Sequence, residues 1–284
     1  MRRLFRLLII CGAAVMVLSG AWSVLKSKSP VGKKVAVLRL SGVIVNPYPL
    51  ARRIEELKDK KSVVALVLRV DSPGGSVGAS QELYRSIERF KETGKPVVVS
   101  MGNVAASGGY YVSSAADFIV ANPGTITGSI GVLVTHVAYR ELLEKLGIKA
   151  TTVKTGKFKD TLSPFRELTE EEKQYLQRLV NESLEQFIRA ILKYRKDRIS
   201  EEQLRRVADG RIILGQQALE LGLVDGLGNL QDAIEKAKEL ANAPDAVPFY
   251  YKEERPFLKR LMGGSFEELK ILTSHAPLYY LMEF

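Results

Sequence analysis

The sequence predicts an α/β fold in which parallel β-strands alternate with α-helices. Runs of β-branched residues recur along the chain, and several are followed by a turn and an amphipathic segment, which is the order that βαβ units require. The run at residues 63–70 is largely apolar, as in a strand buried on both faces of a parallel sheet. With 284 residues and a hydrophobic content of 46%, the chain is long enough for one large domain or two small ones.

The N-terminal residues predict a membrane anchor. Residues 7–25 carry no charge and are just long enough to cross a bilayer core as a helix. A cleaved signal peptide is the alternative, because Ser19-Gly20-Ala21 resembles a small-residue cleavage site. We favour an uncleaved anchor, since Trp22 suits the membrane interface. Basic residues lie on both sides of the segment, so the positive-inside rule alone does not give its orientation.

The charge and the scarce metal-binding residues exclude several classes of function. The net charge is +10, but residues 1–34 alone contribute +7, beside the apolar segment. A membrane surface explains this excess better than a nucleic acid does. A single cysteine excludes an intrachain disulfide and a cysteine-based metal cluster. Two histidines leave little for a zinc site or a histidine-based triad, so we predict no metal, no cofactor and no nucleic-acid partner.

The remaining elements follow from apolar spacing and end signals. Thr169 and Glu172 form a capping-box pattern that opens a long helix running to about Arg195. The elements predicted before it are, in order, a strand at 35–45, a helix at 50–60, a strand at 63–70, a helix after Ser76, a strand at 97–101, a helix at 110–116, a strand at 118–121, a glycine-broken β stretch at 125–132, a helix at 139–146, a strand at 149–154 and a loop at 155–168.

A turn of small residues at 103–111 is the first candidate for chemistry. Ser107 lies there between a predicted strand and a predicted helix, where the unpaired N–H groups and the positive end of the helix dipole point. The alanines before it and the glycines after it leave the backbone open to a substrate carbonyl. The spacing Ala-x-Ser-x-Gly differs by one small residue from the Gly-x-Ser-x-Gly nucleophile turn. A turn that serves packing alone is the alternative.

A second glycine turn, Asp71-Ser72-Pro73-Gly74-Gly75-Ser76, follows the buried strand at the sheet edge where α/β proteins place their sites. Its main-chain N–H groups can hold a developing oxyanion, an effect worth roughly 3–4 kcal/mol per donor. The turn lacks the spacing of a dinucleotide fingerprint and the lysine of a phosphate loop. A tight turn with nothing bound is the alternative.

A serine nucleophile needs a base. His136 lies in an apolar stretch, where a lone histidine is more often packed than catalytic. The other source of a base is a lysine made neutral by an apolar site, where burial lowers the pKa of a lysine to about 5–6. The candidates are Lys154, Lys157 and Lys159, and composition does not choose among them.

Four stretches of the chain, in this order, resemble the S49 serine peptidases, the signal peptide peptidase A family. They lie at residues 70–75, 105–111, 155–160 with Ser163-Pro164, and 209–225. The resemblance covers roughly residues 35–240. It implies a fold of the ClpP/crotonase type, a repeated β-β-α superhelix with a parallel sheet, here preceded by one transmembrane helix.

The resemblance also implies the roles of individual residues. Ser107 becomes the nucleophile and Lys159 the general base of a Ser–Lys dyad. Ser129 is expected to orient the lysine amine, and the N–H groups of Gly74 and Gly108 to face the oxyanion. Because the chain has one copy of the repeat, both members of the dyad come from it or from a neighbouring subunit.

The implied activity is that of a membrane-anchored endopeptidase that degrades released signal peptides. Its expected partners are signal peptides and other apolar peptides, membrane lipid, and further copies of the chain in a homo-oligomeric ring. The N-terminus is expected in the cytoplasm and the catalytic domain outside it. Alternatives are a related peptidase that cuts membrane-organising proteins, a crotonase-like acyl-CoA enzyme, and a non-catalytic scaffold.

These expectations divide the chain into four parts. Residues 1–26 form the cytoplasmic tip and the anchor, 27–34 a linker, 35–252 the peptidase domain, and 253–284 a helical or apolar C-terminal extension. The apolar end of the extension can pack on a neighbouring subunit, on the membrane or on its own domain, or can occupy the protein's own substrate groove.

Overall fold

The computed structural model describes residues 32–251 and 279–281. The strands are β1 (Lys34–Ser41), β2 (Val63–Ser72), β3 (Gly74–Ser76), β4 (Val97–Ala105), β5 (Phe118–Ala121), β6 (Ile126–Gly128), β7 (Ile212–Leu214), β8 (Gly226–Leu227), β9 (Val247–Tyr250) and β10 (Tyr279–Leu281). The helices are α1 (Tyr48–Lys58), α2 (Val77–Lys91), α3 (Gly108–Ser113), α4 (Arg140–Lys145), α5 (Glu170–Arg195), α6 (Glu201–Val207), α7 (Gly215–Glu220) and α8 (Leu230–Leu240).

The main sheet is predominantly parallel, in the order β7-β6-β4-β2-β1-β9, with β5 pairing with β4 and β8. Strands β1, β2 and β4 pair in parallel in its centre, and β6 with β7 is the antiparallel pair of this sheet. The predicted α/β fold with a parallel sheet is therefore confirmed. Because parallel strands end at one edge, the turns after β2 and β4 lie beside each other.

Both faces of the central strands are covered, which explains their apolar sequence. Leu66, Leu68 and Val99 point into a core that includes residues of α1, α2, α3 and α5. The alternate residues Val67 and Val98 pack on the opposite face with buried residues of α8. Fully burying one such side chain contributes about 1.5–3 kcal/mol, so this double layer holds the sheet edge in place.

One predicted strand is wrong. Residues 149–154 form no strand, and their side chains are exposed, Val153 to 95%. The apolar spacing is that of a strand, but no strand of the described sheets pairs with this segment, and an unpaired strand leaves its backbone groups unsatisfied by a ladder. The long helix opened by Thr169 is confirmed, including its capping box with Glu172.

The predicted anchor and the predicted C-terminal extension lie at the two ends of the chain. The predicted anchor at residues 7–25 lies outside the described residues, and within those residues no helix is both long and apolar enough to cross a membrane. In the described part of the C-terminal extension the backbone is a strand rather than a helix. This strand, β10, pairs antiparallel with β3, with Leu281 opposite Gly74 and Tyr279 opposite Ser76.

Candidate active site

Ser107 occupies a strained position between β4 and α3. Its φ of 51° and ψ of −118° place a non-glycine residue on the left-handed side of the backbone map, which costs of order 1–3 kcal/mol. Two main-chain hydrogen bonds hold it there: its N–H donates to the carbonyl of Gly128 at 2.8 Å, and its carbonyl accepts from the N–H of Tyr111 at 2.8 Å. The surrounding fold therefore imposes the conformation.

The hydroxyl of Ser107 is buried and unsatisfied. The residue is 1% exposed, and within the described part of the chain its Oγ is the buried side-chain polar atom that has no hydrogen-bond partner. A buried polar group left unpaired costs about 1–3 kcal/mol and calls for an explanation. The strained backbone and the unpaired hydroxyl therefore occur in the same residue, which is the serine that the sequence predicts as the nucleophile.

The glycines around Ser107 bring the two turns together. A Cβ at Gly109 would lie 2.7 Å from the carbonyl oxygen of Ser72, so only glycine lets α3 start against the end of β2. The N–H of Ala106 also donates to that carbonyl at 3.1 Å. The sequence-predicted turns at 71–76 and 103–111 are thus in contact.

The two predicted oxyanion donors differ in the hydrogen bonds of their N–H groups. Gly108 is the first residue of α3, so its N–H has no partner within the helix. The N–H of Gly74, at a φ of 103°, donates instead to Ser72 Oγ at 3.1 Å. Ser72 Oγ in turn donates to the carbonyl of Gly42 at 2.6 Å. An oxyanion that uses Gly74 must therefore compete with Ser72.

Ser129 lies next to the residue that holds Ser107. It follows β6 directly, is 7% exposed and has a φ of 47°. Its N–H donates to the carbonyl of Arg211 at 2.8 Å, while the preceding carbonyl, of Gly128, holds Ser107. The structure therefore brings the segments of Ser107 and Ser129 together, and both serines have the positive φ that is uncommon outside glycine.

The three candidate lysines lie on one exposed segment after α4, and the structure distinguishes among them. Lys154 forms an ion pair with Asp160, and Lys157 forms one with Glu171. An ammonium paired with a carboxylate has no lone pair with which to accept a proton. Among the described residues, the amine of Lys159 forms neither a hydrogen bond nor an ion pair, and it is not bonded to Ser107 Oγ. The structure therefore does not bring the predicted pair Ser107 and Lys159 into contact.

His136 forms a hydrogen bond with a residue other than Ser107. Its Nε2 lies 3.0 Å from the carbonyl oxygen of Ser163, which can only accept, so Nε2 donates. The ring therefore helps to hold the loop at 155–168 and is not bonded to Ser107. Over residues 32–251 and 279–281, no group of three or more His, Cys, Asp or Glu residues is arranged to hold a metal ion.

An ion cluster attaches the loop of Lys159 to the first turn of α5. Arg166 bonds both Asp160 and Glu172, and these bonds hold the pKa of each carboxyl well below its usual range. The sequence does not indicate the contacts of Arg166, because a residue six positions from each partner has no local periodic signal. The bond from Gly74 to Ser72 could have been expected, because a serine hydroxyl two residues before a turn glycine can accept from its N–H.

The chain is similar in sequence to a known family of peptidases. Residues 89–244 match the family model described as "Peptidase family S49". A protein of Synechocystis sp. named "Putative protease" is 42% identical over 241 residues, 84% of this chain and 86% of that protein. An Enterococcus faecium protein named "Putative signal peptide peptidase SppA" is 34% identical over 259 residues, 85% of this chain and 75% of that protein.

A solved structure is similar in fold. It is a mutant of the 1510-N membrane-bound stomatin-specific protease, with a TM-score of 0.50 and 14% sequence identity. The match covers 78% of this chain and 99% of that one. At this level of identity the match shows a similar overall fold and nothing more.

Proposed function

The chain belongs to peptidase family S49 and is a serine peptidase, and on that premise we propose that Ser107 and Lys159 form a Ser–Lys dyad in a membrane-anchored endopeptidase that degrades released signal peptides. The observation that carries the proposal is that Ser107 has a strained backbone conformation and a buried hydroxyl without a hydrogen-bond partner. We further propose a ClpP/crotonase-type superhelix for residues 35–252, after a linker at 27–34, with residues 1–26 as tip and anchor. The N-terminus is cytoplasmic and the peptidase domain lies outside the cytoplasm.

In the proposed reaction the neutral amine of Lys159 takes the proton of Ser107 as Oγ attacks a peptide carbonyl. The negative charge on the carbonyl oxygen is stabilised by the N–H of Gly108, and by that of Gly74 once it releases Ser72. The tetrahedral intermediate collapses with cleavage of the C–N bond, and the lysine ammonium gives its proton to the leaving amine. A water molecule, deprotonated by Lys159, then attacks the acyl-enzyme; the bond between the acyl carbon and Ser107 Oγ breaks, and the lysine ammonium returns its proton to Oγ. Ser129 orients the lysine amine.

The lysine must reach the serine, either by a movement of its loop or from a neighbouring subunit. A neighbouring copy is supported by the segment that carries Lys159, because it exposes many large apolar side chains. They are Val137, Tyr139, Leu142, Leu146, Ile148, Val153, Phe158, Leu162 and Phe165. We propose that this surface contacts further copies in a homo-oligomeric ring. Mixing the inactive variants Ser107→Ala and Lys159→Ala separates the two routes, since activity returns only if the dyad spans two subunits.

The experiment that tests the dyad combines labelling with kinetics on the full chain in a mild detergent. A fluorophosphonate probe is expected to label Ser107, as mapped by mass spectrometry. Hydrolysis of an apolar peptide is expected to fall about 10⁴-fold or more in Ser107→Ala and in Lys159→Ala. Lys157→Ala is the matched control, because its amine is paired with Glu171, and its rate is expected to stay within about threefold of wild type.

Two results would contradict the proposal. An unchanged rate in Ser107→Ala would show that Ser107 is not the nucleophile. A loss of activity in Lys157→Ala, with none in Lys159→Ala, would assign the role of base to Lys157. Substrate trapping with Ser107→Ala then identifies the substrate, with membrane-organising proteins as the alternative to signal peptides.

A further inference from the structure

Arg166 binds two carboxylates, one of them next to the proposed base. Its Nε donates to Asp160 Oδ2 at 2.9 Å and its Nη2 to Asp160 Oδ1 at 2.7 Å, a two-point contact with the residue after Lys159. Nη2 also donates to the backbone carbonyl of Asp160 at 3.1 Å. On its other side Nη1 donates to Glu172 Oε2 at 2.8 Å. Such planar, two-point pairing fixes orientation as well as charge.

The cluster is partly buried and joined to a helix. The side chains of Asp160 and Glu172 are 11% and 4% exposed, and that of Arg166 is 23% exposed. Glu172 also accepts from the N–H of Thr169 at 2.9 Å, as the capping box of α5. The backbone at residue 160 is therefore tied to the start of a long helix, in an environment less screened than an exposed surface pair.

Every donor to the Asp160 side chain comes from a residue other than Lys159. Oδ1 accepts from Arg166 and from Lys154, and Oδ2 accepts from Arg166. A carboxylate that was instead free to turn to its neighbour would favour the charged form of the Lys159 amine. Several other carboxylates around the loop likewise pair with cations other than Lys159.

The other charged groups that face this loop come from α4, α5 and the loop itself. Glu171 pairs with Lys157, Glu172 with Arg166, Glu144 with Arg140 and Glu170 with Lys173. Glu167 is exposed, its carbonyl accepts from Arg166, and Lys149 and Asp160 line the same cavity. The carboxylates of Glu144, Glu170, Glu171 and Glu172 are thus each matched with a cation that is not Lys159.

The geometry points to Arg166 as a positioning residue for the general base. It fixes the loop backbone next to Lys159 to α5, and it keeps the Asp160 carboxylate from pairing with the Lys159 amine. The inference rests on the proposed function, in which Lys159 is the base. It adds a residue outside the four stretches on which the family resemblance was based.

The test compares Arg166→Met, Arg166→Lys and the double variant Arg166→Met/Asp160→Asn in the full chain, with Lys157→Met as the matched control. We expect Arg166→Met to lower kcat about tenfold to a hundredfold with little change in KM, because the base is misplaced. We also expect the acid limb of its kcat/KM–pH profile to move upward by about one unit, because the Asp160 carboxylate, then held by Lys154 alone, can turn to Lys159 and favour the lysine ammonium. Arg166→Lys keeps the charge without the two-point contact and is expected to lie between.

The double variant separates the two parts of the role. Removing the charge of residue 160 is expected to return the acid limb to its wild-type position while kcat stays low. A merely structural role would lower the active fraction, measured by titration with a fluorophosphonate, without moving the pH profile. Lys157→Met is expected to change neither kcat nor the profile.

The outcomes distinguish this inference from the proposed function. Wild-type activity in Lys159→Ala would overturn both. Loss of activity in Lys159→Ala, with an unshifted acid limb in Arg166→Met, would overturn the role of Arg166 alone. An acid limb that stays shifted in the double variant would overturn the account of Asp160.

Discussion

Removing the Ser107 hydroxyl is expected to stabilise the protein while it abolishes activity. The hydroxyl is buried without a hydrogen-bond partner, and such a group costs about 1–3 kcal/mol. Ser107→Ala eliminates that cost and leaves the backbone strain, so its free energy of unfolding should rise by about 1–3 kcal/mol. For a folded region of this size, that raises the Tm by about 2–12 °C.

Ser107→Gly probes the strain separately. Glycine relieves the positive-φ conformation, whose cost is of order 1–3 kcal/mol, but it adds about 0.5–1 kcal/mol of unfolded-state entropy. Its stability is therefore expected to equal or exceed that of Ser107→Ala. Scanning calorimetry of the full chain in a mild detergent measures both variants.

Ser113, the last residue of α3, supplies the control. Ser113 is fully buried, but its Oγ donates to the carbonyl of Gly109 at 2.7 Å. Ser113→Ala should therefore lower the free energy of unfolding by about 0.5–1.5 kcal/mol, the opposite sign. If Ser107→Ala lost as much stability as Ser113→Ala, the account of an unsatisfied, strained nucleophile would be refuted.

Two further predictions concern the C-terminal strand and the ion cluster. Since β10 pairs with β3 beside Gly74, deleting residues 279–284 should free the edge of β3 for an extended peptide and lower KM about threefold to tenfold. Tyr280→Pro removes one backbone donor of β10 and should also lower KM. An unchanged KM in both variants would count against this prediction. The pKa values of Asp160 and Glu172 are lowered in the folded state, so their contribution to stability is fully present above the unfolded values of about 4 and is lost as the pH falls through the folded values. Between pH 6 and pH 3 the Tm of wild type should therefore fall more than that of Arg166→Met, and parallel decreases would show that the cluster contributes nothing.

The elements that position the nucleophile could be predicted from the sequence because their signals are local. The apolar run of β2, the capping box at Thr169 and the small-residue turn at Ser107 each depend on residues next to one another in the chain. The strand expected at 149–154 failed because strand formation needs a partner, and the pairing of strands is not local. The competition of Ser72 for the Gly74 N–H and the anchoring by Arg166 depend on side-chain directions in the folded chain, which spacing does not contain.

Helix α5 connects the two halves of the proposed dyad. About two thirds of the way along it, the ring of Phe187 packs against that of Tyr111, with ring centroids 5.0 Å apart, and the N–H of Tyr111 holds the Ser107 carbonyl. At its first turn, Glu172 holds the loop of Lys159 through Arg166. The two points lie about 22 Å apart along the axis at 1.5 Å per residue. At that separation, a tilt of about 5° about the aromatic contact would move the first turn of the helix by roughly 2 Å. The position of the Lys159 loop relative to Ser107 therefore depends on the packing of one helix as well as on the two turns.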